Sequence, residues 1–192
     1  MLQTALHYSH QLLRDVVLPG DTVVDGTVGN GHDTLFLADL VGSQGHVYGF
    51  DIQGQAIDTS RQKLTEAGLA SRTTLFHQGH ETVAQVLNSE VIVKAAIFNL
   101  GYLPKSDKTI ITRKETTLVA LTSLLPKLAV GGRIIVVIYY GHEGGDTEKD
   151  GVMAFVKDIP QREYNVLSYQ FINQQNNPPI LIAIERKKTS QP

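Results

Sequence analysis

The stretch from Val23 to Asp33, Val-Val-Asp-Gly-Thr-Val-Gly-Asn-Gly-His-Asp, constrains this chain more than any other. A short β-branched run enters a loop with glycine at 26, 29 and 31, and an amphipathic segment, Thr34 to Leu40, follows at once. That order predicts strand, tight loop, helix. Glycine admits positive φ and lacks the Cβ that would hold a ligand off the main chain, so such a loop lets a nucleotide-like molecule lie against backbone amides. Asp25, Thr27, Gly29, Asn30, Gly31 and Asp33 are the residues expected to form this cradle.

The rest of the chain repeats the same grammar. A helix over Thr4 to Val17, with Leu6, His10, Leu13 and Val17 at helical spacing, ends at Pro19-Gly20. Strands are expected at Thr22–Asp25, Val47–Asp51, Thr74–His77, Val91–Leu100 and Arg133–Tyr140, with helices at Gln53–Ala67, Glu81–Leu87 and Thr147–Ile159 between or after them. Thr112 and Glu115 have the Thr-x-x-Glu spacing of a capping box, opening a helix that buries Leu118, Leu121, Leu125 and Leu128 and stops at Gly131-Gly132. Two last apolar runs, Asn165–Ile172 and Ile180–Ile184, have only a short connection between them and therefore pair antiparallel. Alternation of strand and helix implies an α/β fold, a mostly parallel seven-stranded sheet with helices on both faces, here closed by a C-terminal hairpin. No repeat or linker divides residues 1–192, so a single domain is expected.

Composition narrows the function. There is no cysteine, which removes disulfides and thiolate metal sites, and the seven histidines are scattered without ligand spacing, so no metal is expected. No apolar run approaches a membrane span, and a cytoplasmic protein is the expectation. A formal net charge of −2 argues against nonspecific coating of nucleic acid. A local basic run remains, Lys105, Lys108, Arg113 and Lys114 against Asp107 alone, which reads either as a solvated face or as a phosphate contact.

Two ligand classes compete for the glycine loop. A dinucleotide fingerprint wants a third glycine where Thr34 stands, which disfavours an NAD-dependent oxidoreductase. The pattern Asp25-Gly-x-x-Gly-x-Gly instead resembles the first motif of class I S-adenosylmethionine-dependent methyltransferases, with its first glycine displaced. Carboxylates at 25 and 33 suit a ligand carrying an ammonium and a sulfonium, and would repel a pyrophosphate. Asp51, ending the second strand with Gln53 beyond it, stands where an acidic side chain accepts hydrogen bonds from ribose hydroxyls, though such an aspartate also serves as a turn former. His80, after the third strand, is expected to border the adenine.

In such enzymes the methyl acceptor lies at the end of the fourth strand, here Asn99-Leu-Gly-Tyr-Leu-Pro104. Amine methyltransferases often carry Asn/Asp-Pro-Pro-Tyr/Phe at this point, and the chain keeps Asn99 and Tyr102 in that spacing with Leu-Gly between them. The resemblance suggests a nitrogen nucleophile. Tyr139, Tyr140 and His142, at the opening of the loop after the fifth strand, are candidates to help an alkylamine shed its proton; they also read as a packed aromatic pair and a surface histidine.

Together, Asp25-Gly-Thr-Val-Gly-Asn-Gly-His-Asp-Thr, Asn99-Leu-Gly-Tyr-Leu-Pro with Asp107-Lys108, the Thr112 to Leu121 segment, Tyr139-Tyr-Gly-His-Glu-Gly-Gly with Glu148, and Asn176-Asn-Pro-Pro resemble a bacterial family labelled "putative rRNA methylase". The resemblance runs over nearly the whole chain. It implies a Rossmann-like class I fold and S-adenosylmethionine as donor. The family's defined members methylate the exocyclic amine of 5-aminomethyl-2-thiouridine at the tRNA wobble position. On that basis Asn99, Tyr102, Tyr140 and His142 are the expected catalytic residues, with Asn99 also near the donor. His32, Leu103, Lys105, Lys108, Arg113 and Lys114 are the expected contacts to an anticodon stem-loop, held by a homodimer. Two alternatives stand beside this reading: a methyltransferase acting on rRNA or a small amine, and a non-catalytic S-adenosylmethionine-binding module.

Overall fold

The structure is a computed structural model that describes residues 1–101 and 111–188. Its seven strands are β1 (Thr22–Asp25), β2 (His46–Asp51), β3 (Thr73–His77), β4 (Val93–Leu100), β5 (Leu128–Ile138), β6 (Tyr164–Tyr169) and β7 (Ile180–Arg186). They form one sheet of order β3-β2-β1-β4-β5-β7-β6. The first five run parallel, and β7 pairs antiparallel with both β5 and β6. The expected α/β architecture with its terminal hairpin is what the chain adopts.

Strand periodicity explains why helices cover both faces. Along β1, Val23 packs with one cluster and Val24 with the other, and β4 divides Ala95 and Ile97 from Ala96 and Phe98 in the same way. One face buries against α1 (Ala5–Arg14), α2 (His32–Leu40) and α3 (Gly54–Glu66) through Leu13, Leu37 and Leu64. The other buries against the single turn α4 (Val83–Val86), α5 (Lys114–Leu124) and α6 (Gly145–Lys157) through Val83, Leu121 and Val152. Among the described residues no helix is long and apolar enough to cross a membrane.

This order makes the end of β1 a switch point, because β2 and β4 lie on its opposite sides and the chain leaves toward both. Asp25 pairs in register with Gly49 of β2 and Ile97 of β4, so the loops after β1, β2 and β4 open at one edge of the sheet. Gly26 is a tight point of that edge. A Cβ there would overlap the edge of the Phe98 ring, which is fully buried.

Three local expectations are corrected. No capping box forms: α5 starts at Lys114 after Arg113 without a side-chain cap, because the Thr112 hydroxyl donates to Glu148 instead. The same helix stops at Leu124, short of the glycine pair, and a 3-10 turn, Leu125–Lys127, follows. Pro126 lacks the N–H that another helical turn would need. Leu128 consequently opens β5, and Gly131-Gly132 lie inside that strand, with Gly131 at φ 71°. Finally, α6 begins at Gly145, two residues before the expected start at Thr147, since Gly144 takes the left-handed φ of 81° just before it.

Gly26→Ala is expected to cost about 1–3 kcal/mol of stability by overpacking against Phe98. A lowered urea midpoint with an unchanged slope is the measurement that checks it.

Candidate active site

The glycine loop is held from behind by groups that leave its front edge open. Asp25 is fully buried, and its two carboxylate oxygens accept from the Thr27 N–H (3.1 Å) and the Thr34 hydroxyl (2.6 Å). The Asp51 carboxylate at the end of β2 accepts from the Gly29 N–H (2.8 Å) and the Gln53 N–H (2.8 Å). From α3, the Ser60 hydroxyl donates to the Gly29 carbonyl (3.0 Å) and the Lys63 ammonium to the Asn30 carbonyl (2.8 Å). Gly31 has φ 79° and packs so close to Ser60 that a Cβ would overlap it. The loop is therefore preorganised by β1, β2 and α3 together.

In front of it lies a cavity of about 930 Å³. Of the residues expected to hold the donor, Thr27, Gly29, Asn30, Asp33, Asp51, Gln53, His80 and Asn99 line this cavity. Asp25 and Gly31 stand behind it, shaping the loop. The carboxylates on the wall are thus Asp33, Asp51 and Glu81, while Asp25 holds the Thr27 N–H and the Thr34 hydroxyl behind the loop. His32 and Arg113 of the expected RNA contacts also line the cavity, whereas the Lys114 ammonium lies 3.7 Å from Glu115. Tyr102, Leu103, Lys105 and Lys108 lie outside the described residues.

The electrostatics favour a cationic guest. Burial, and after it the neighbouring charge of Asp33, pushes the Asp25 carboxyl up from 3.8 to about 7, against the hydrogen bonds from Thr34 and Thr27. A positive ligand at the front of the loop would relieve that strain. His80 is held neutral by burial, which moves it below the usual histidine range. Its Nδ1 lies 3.0 Å from the Gly26 carbonyl, and its ring meets Phe98 edge-on at 5.5 Å.

At the end of β4 a polar cluster is built around Asp33, which is buried. One oxygen accepts from the Asn99 side-chain amide at 2.6 Å, and the other lies 2.6 Å from His10 Nε2. A carboxylate only accepts, so the Asn99 amide turns its NH2 toward Asp33 and leaves its carbonyl oxygen as an acceptor for something else. The Asn99 backbone N–H donates to the Thr27 hydroxyl (2.7 Å), which ties the end of β4 to the glycine loop. Tyr139 lines the same cavity, and burial, followed by the Asp33 charge, raises its phenol above the usual range. Tyr140 packs under the Lys149 ammonium, 4.6 Å from the ring centroid, and His142 lies close to Gly145. Neither is among the cavity-lining residues.

Two contributors escaped the sequence reading. His10 belongs to the apolar stripe of α1, and a histidine at such a position carried the only available signal. Glu148 is almost wholly buried and accepts from the hydroxyls of Thr112 (2.6 Å) and Thr117 (2.8 Å). Thr112 in turn accepts from the Gly101 N–H (2.8 Å), so a carboxylate on α6 pins both flanks of the segment that follows Asn99. In the sequence Glu148 marked only a motif.

A parallel sheet closed by an antiparallel hairpin, with a glycine loop at the switch point and carboxylates facing the cavity, defines an S-adenosylmethionine-dependent methyltransferase of class I. The cradle fits that donor in shape and charge. The "Putative rRNA methylase" family model matches residues 47–185, and the chain belongs to this family. A Clostridium thermocellum protein of the same description superposes with TM-score 0.94 at 47% identity, covering 97% of this chain and 99% of that one. A Streptococcus mutans methyltransferase in complex with SAH, the product of the donor, gives TM-score 0.89 at 40% identity over 97% of this chain and 99% of its own. In Arabidopsis thaliana the chloroplastic tRNA (mnm(5)s(2)U34)-methyltransferase is 36% identical over 191 residues, 95% of this chain and 70% of that protein.

The raised Asp25 carboxyl has a signed consequence. Its folded-state value of about 7 exceeds the unfolded 3.8, so the folded protein holds this proton more tightly. The contribution to stability is fully present below the unfolded value and is lost as pH rises toward about 7. Asp25→Asn removes the titration. In the donor-free protein its stability relative to wild type is expected to rise between about pH 4 and pH 7, by a few kcal/mol, in urea unfolding at a series of pH values.

Proposed function

We propose that this methyltransferase modifies tRNA, N-methylating the aminomethyl group of 5-aminomethyl-2-thiouridine at the anticodon wobble position to give 5-methylaminomethyl-2-thiouridine. The observation that carries the reading is the Asn99 carbonyl, left by Asp33 as a free-standing acceptor where the donor cradle meets the end of β4. The Arabidopsis relative, named for this nucleoside and similar over 95% of the chain, supports the same choice of substrate.

When bound, the donor supplies a methyl group on a sulfonium, already activated for an amine lone pair. The residues of the chain then have three tasks. Asp33 and Asp51 balance positive charge at the cavity wall. Asn99 accepts an N–H of the incoming amine and so turns its lone pair toward the methyl carbon. Arg113, with the basic run from Lys105 to Lys114, meets anticodon phosphates while His32 stacks on the extruded base. A homodimer belongs to the proposal because one small chain offers little surface beyond the cavity rim for a stem-loop. Light scattering of the protein with an anticodon stem-loop is expected to give two chains per complex, and one chain removes this part.

The test is methyl transfer from a tritiated donor to tRNA carrying 5-aminomethyl-2-thiouridine, with ribosomal subunits in a parallel arm. Label in the wobble nucleoside is the expected result, and label confined to rRNA overturns it. Asn99→Ala is expected to lower kcat/KM by about 100-fold or more while donor affinity falls far less. Full activity in this variant places the acceptor elsewhere.

A further inference from the structure

An alkylamine reaches the enzyme as an ammonium ion at neutral pH and has no lone pair until a proton leaves it. The proposed function therefore requires a proton acceptor near Asn99. We infer that His10 is that acceptor, with Asp33 orienting it and bridging it to Asn99; the inference rests on the amine substrate proposed above.

Geometry brings the three residues together from three separate elements. His10 comes from α1, Asp33 from the first turn of α2 and Asn99 from the end of β4, and all three line the cavity. The imidazole lies 2.6 Å from one Asp33 oxygen while the Asn99 amide lies 2.6 Å from the other. Its ring is stacked on Phe36 with centroids 4.0 Å apart and planes 5° from parallel. The Phe36 ring also receives the Arg14 guanidinium, 4.8 Å from its centroid. Stack and hydrogen bond together fix both the plane and the rotation of the imidazole, which keeps 21% of its side chain accessible.

The carboxylate settles the proton inventory. A neutral imidazole paired to Asp33 carries its hydrogen on Nε2 and leaves the Nδ1 lone pair to accept. In the step, an N–H bond of the substrate ammonium breaks and an Nδ1–H bond forms, directly or through one water. The freed electron pair stays on the amine nitrogen. The imidazolium is held by Asp33 as in a carboxylate–histidine pair of a hydrolase, and it returns its proton to solvent after methyl transfer.

Three groups at or behind the cavity are poorer acceptors. The Tyr139 phenol is pushed upward and keeps its proton. His80 is buried with its Nδ1 on the Gly26 carbonyl and its Nε2 3.4 Å from the Thr117 hydroxyl. Asp25 has both oxygens engaged behind the loop. The charges on elements packed around His10 are Asp33 and the exposed Asp39 on α2, His7 and Arg14 on α1 itself, and, at the far end of α1, Asp15 and Glu185 of β7, each paired with Arg133 of β5. His32 also lines the cavity, at the start of α2.

The experiment compares wild type, His10→Ala and His10→Gln in steady-state methylation of aminomethyl-thiouridine tRNA from about pH 6.5 to pH 9, with donor affinity by calorimetry and thermal melting alongside. Glutamine still offers Asp33 an N–H donor but accepts no proton at these pH values. Both variants are expected to lose about 100-fold or more of kcat at neutral pH, with the deficit shrinking at least about tenfold toward pH 9 as the amine deprotonates unaided. Donor affinity is expected to stay within about threefold. Recovery of wild-type turnover by glutamine, or a deficit constant across pH, overturns the proposal and leaves a packing role for His10. A wild-type enzyme that does not methylate this tRNA overturns the substrate reading instead, and the proton step with it.

Discussion

A carboxylate with no access to water lies at the centre of this protein. Asp25 ends β1 between β2 and β4, spends one oxygen on the Thr27 amide and the other on the Thr34 hydroxyl, and thereby bends the chain back into α2. Its pKa near 7 reports the cost of keeping charge there. That cost is tolerable in a fold whose guest is a cation, and the glycines around it exist to let the bend occur: Gly26 against Phe98, Gly31 against Ser60. The cavity is what remains in front of a loop tied down from every other side.

The two halves of the site are joined by side chains that serve both. Thr27 belongs to the glycine loop, yet its hydroxyl receives the backbone N–H of Asn99 at the end of β4. Asp33 lies in the first turn after that loop, where the helix dipole favours a negative charge, and it orients the Asn99 amide. Glu148 acts from the opposite helical layer, fastening Thr112 and Thr117, with Gly101 attached through Thr112. Buried polar groups of this kind are satisfied in chains, and each chain ends at the cavity rim or beside it.

Much of the fold was legible because its signals are local and periodic. The continuous apolar runs of β1 and β4, the glycines after β1, and a hairpin without an intervening helix all follow from near neighbours in sequence. The errors came where two local signals competed. Thr112 had the spacing of a helix cap, but a buried carboxylate from α6 offered its hydroxyl a stronger partner. Gly131-Gly132 looked like a helix stop, but Pro126 had ended the helix already and the glycines fell within a strand.

The sequence by itself determined the class of sheet, the position of the glycine loop and the placing of Asp25, Asp51 and Asn99 at strand ends, because apolar runs and the glycines that close them are local signals. Only the tertiary structure decided which carboxylates face the cavity and which face the backbone, and only it brought His10 to Asp33. Those outcomes depend on how α1 packs on the sheet face, an arrangement set by burial among Leu13, Leu37 and Val137 that no spacing along the chain encodes. Helix packing is long-range and additive over many weak contacts, so its result is visible only once the whole face has been assembled.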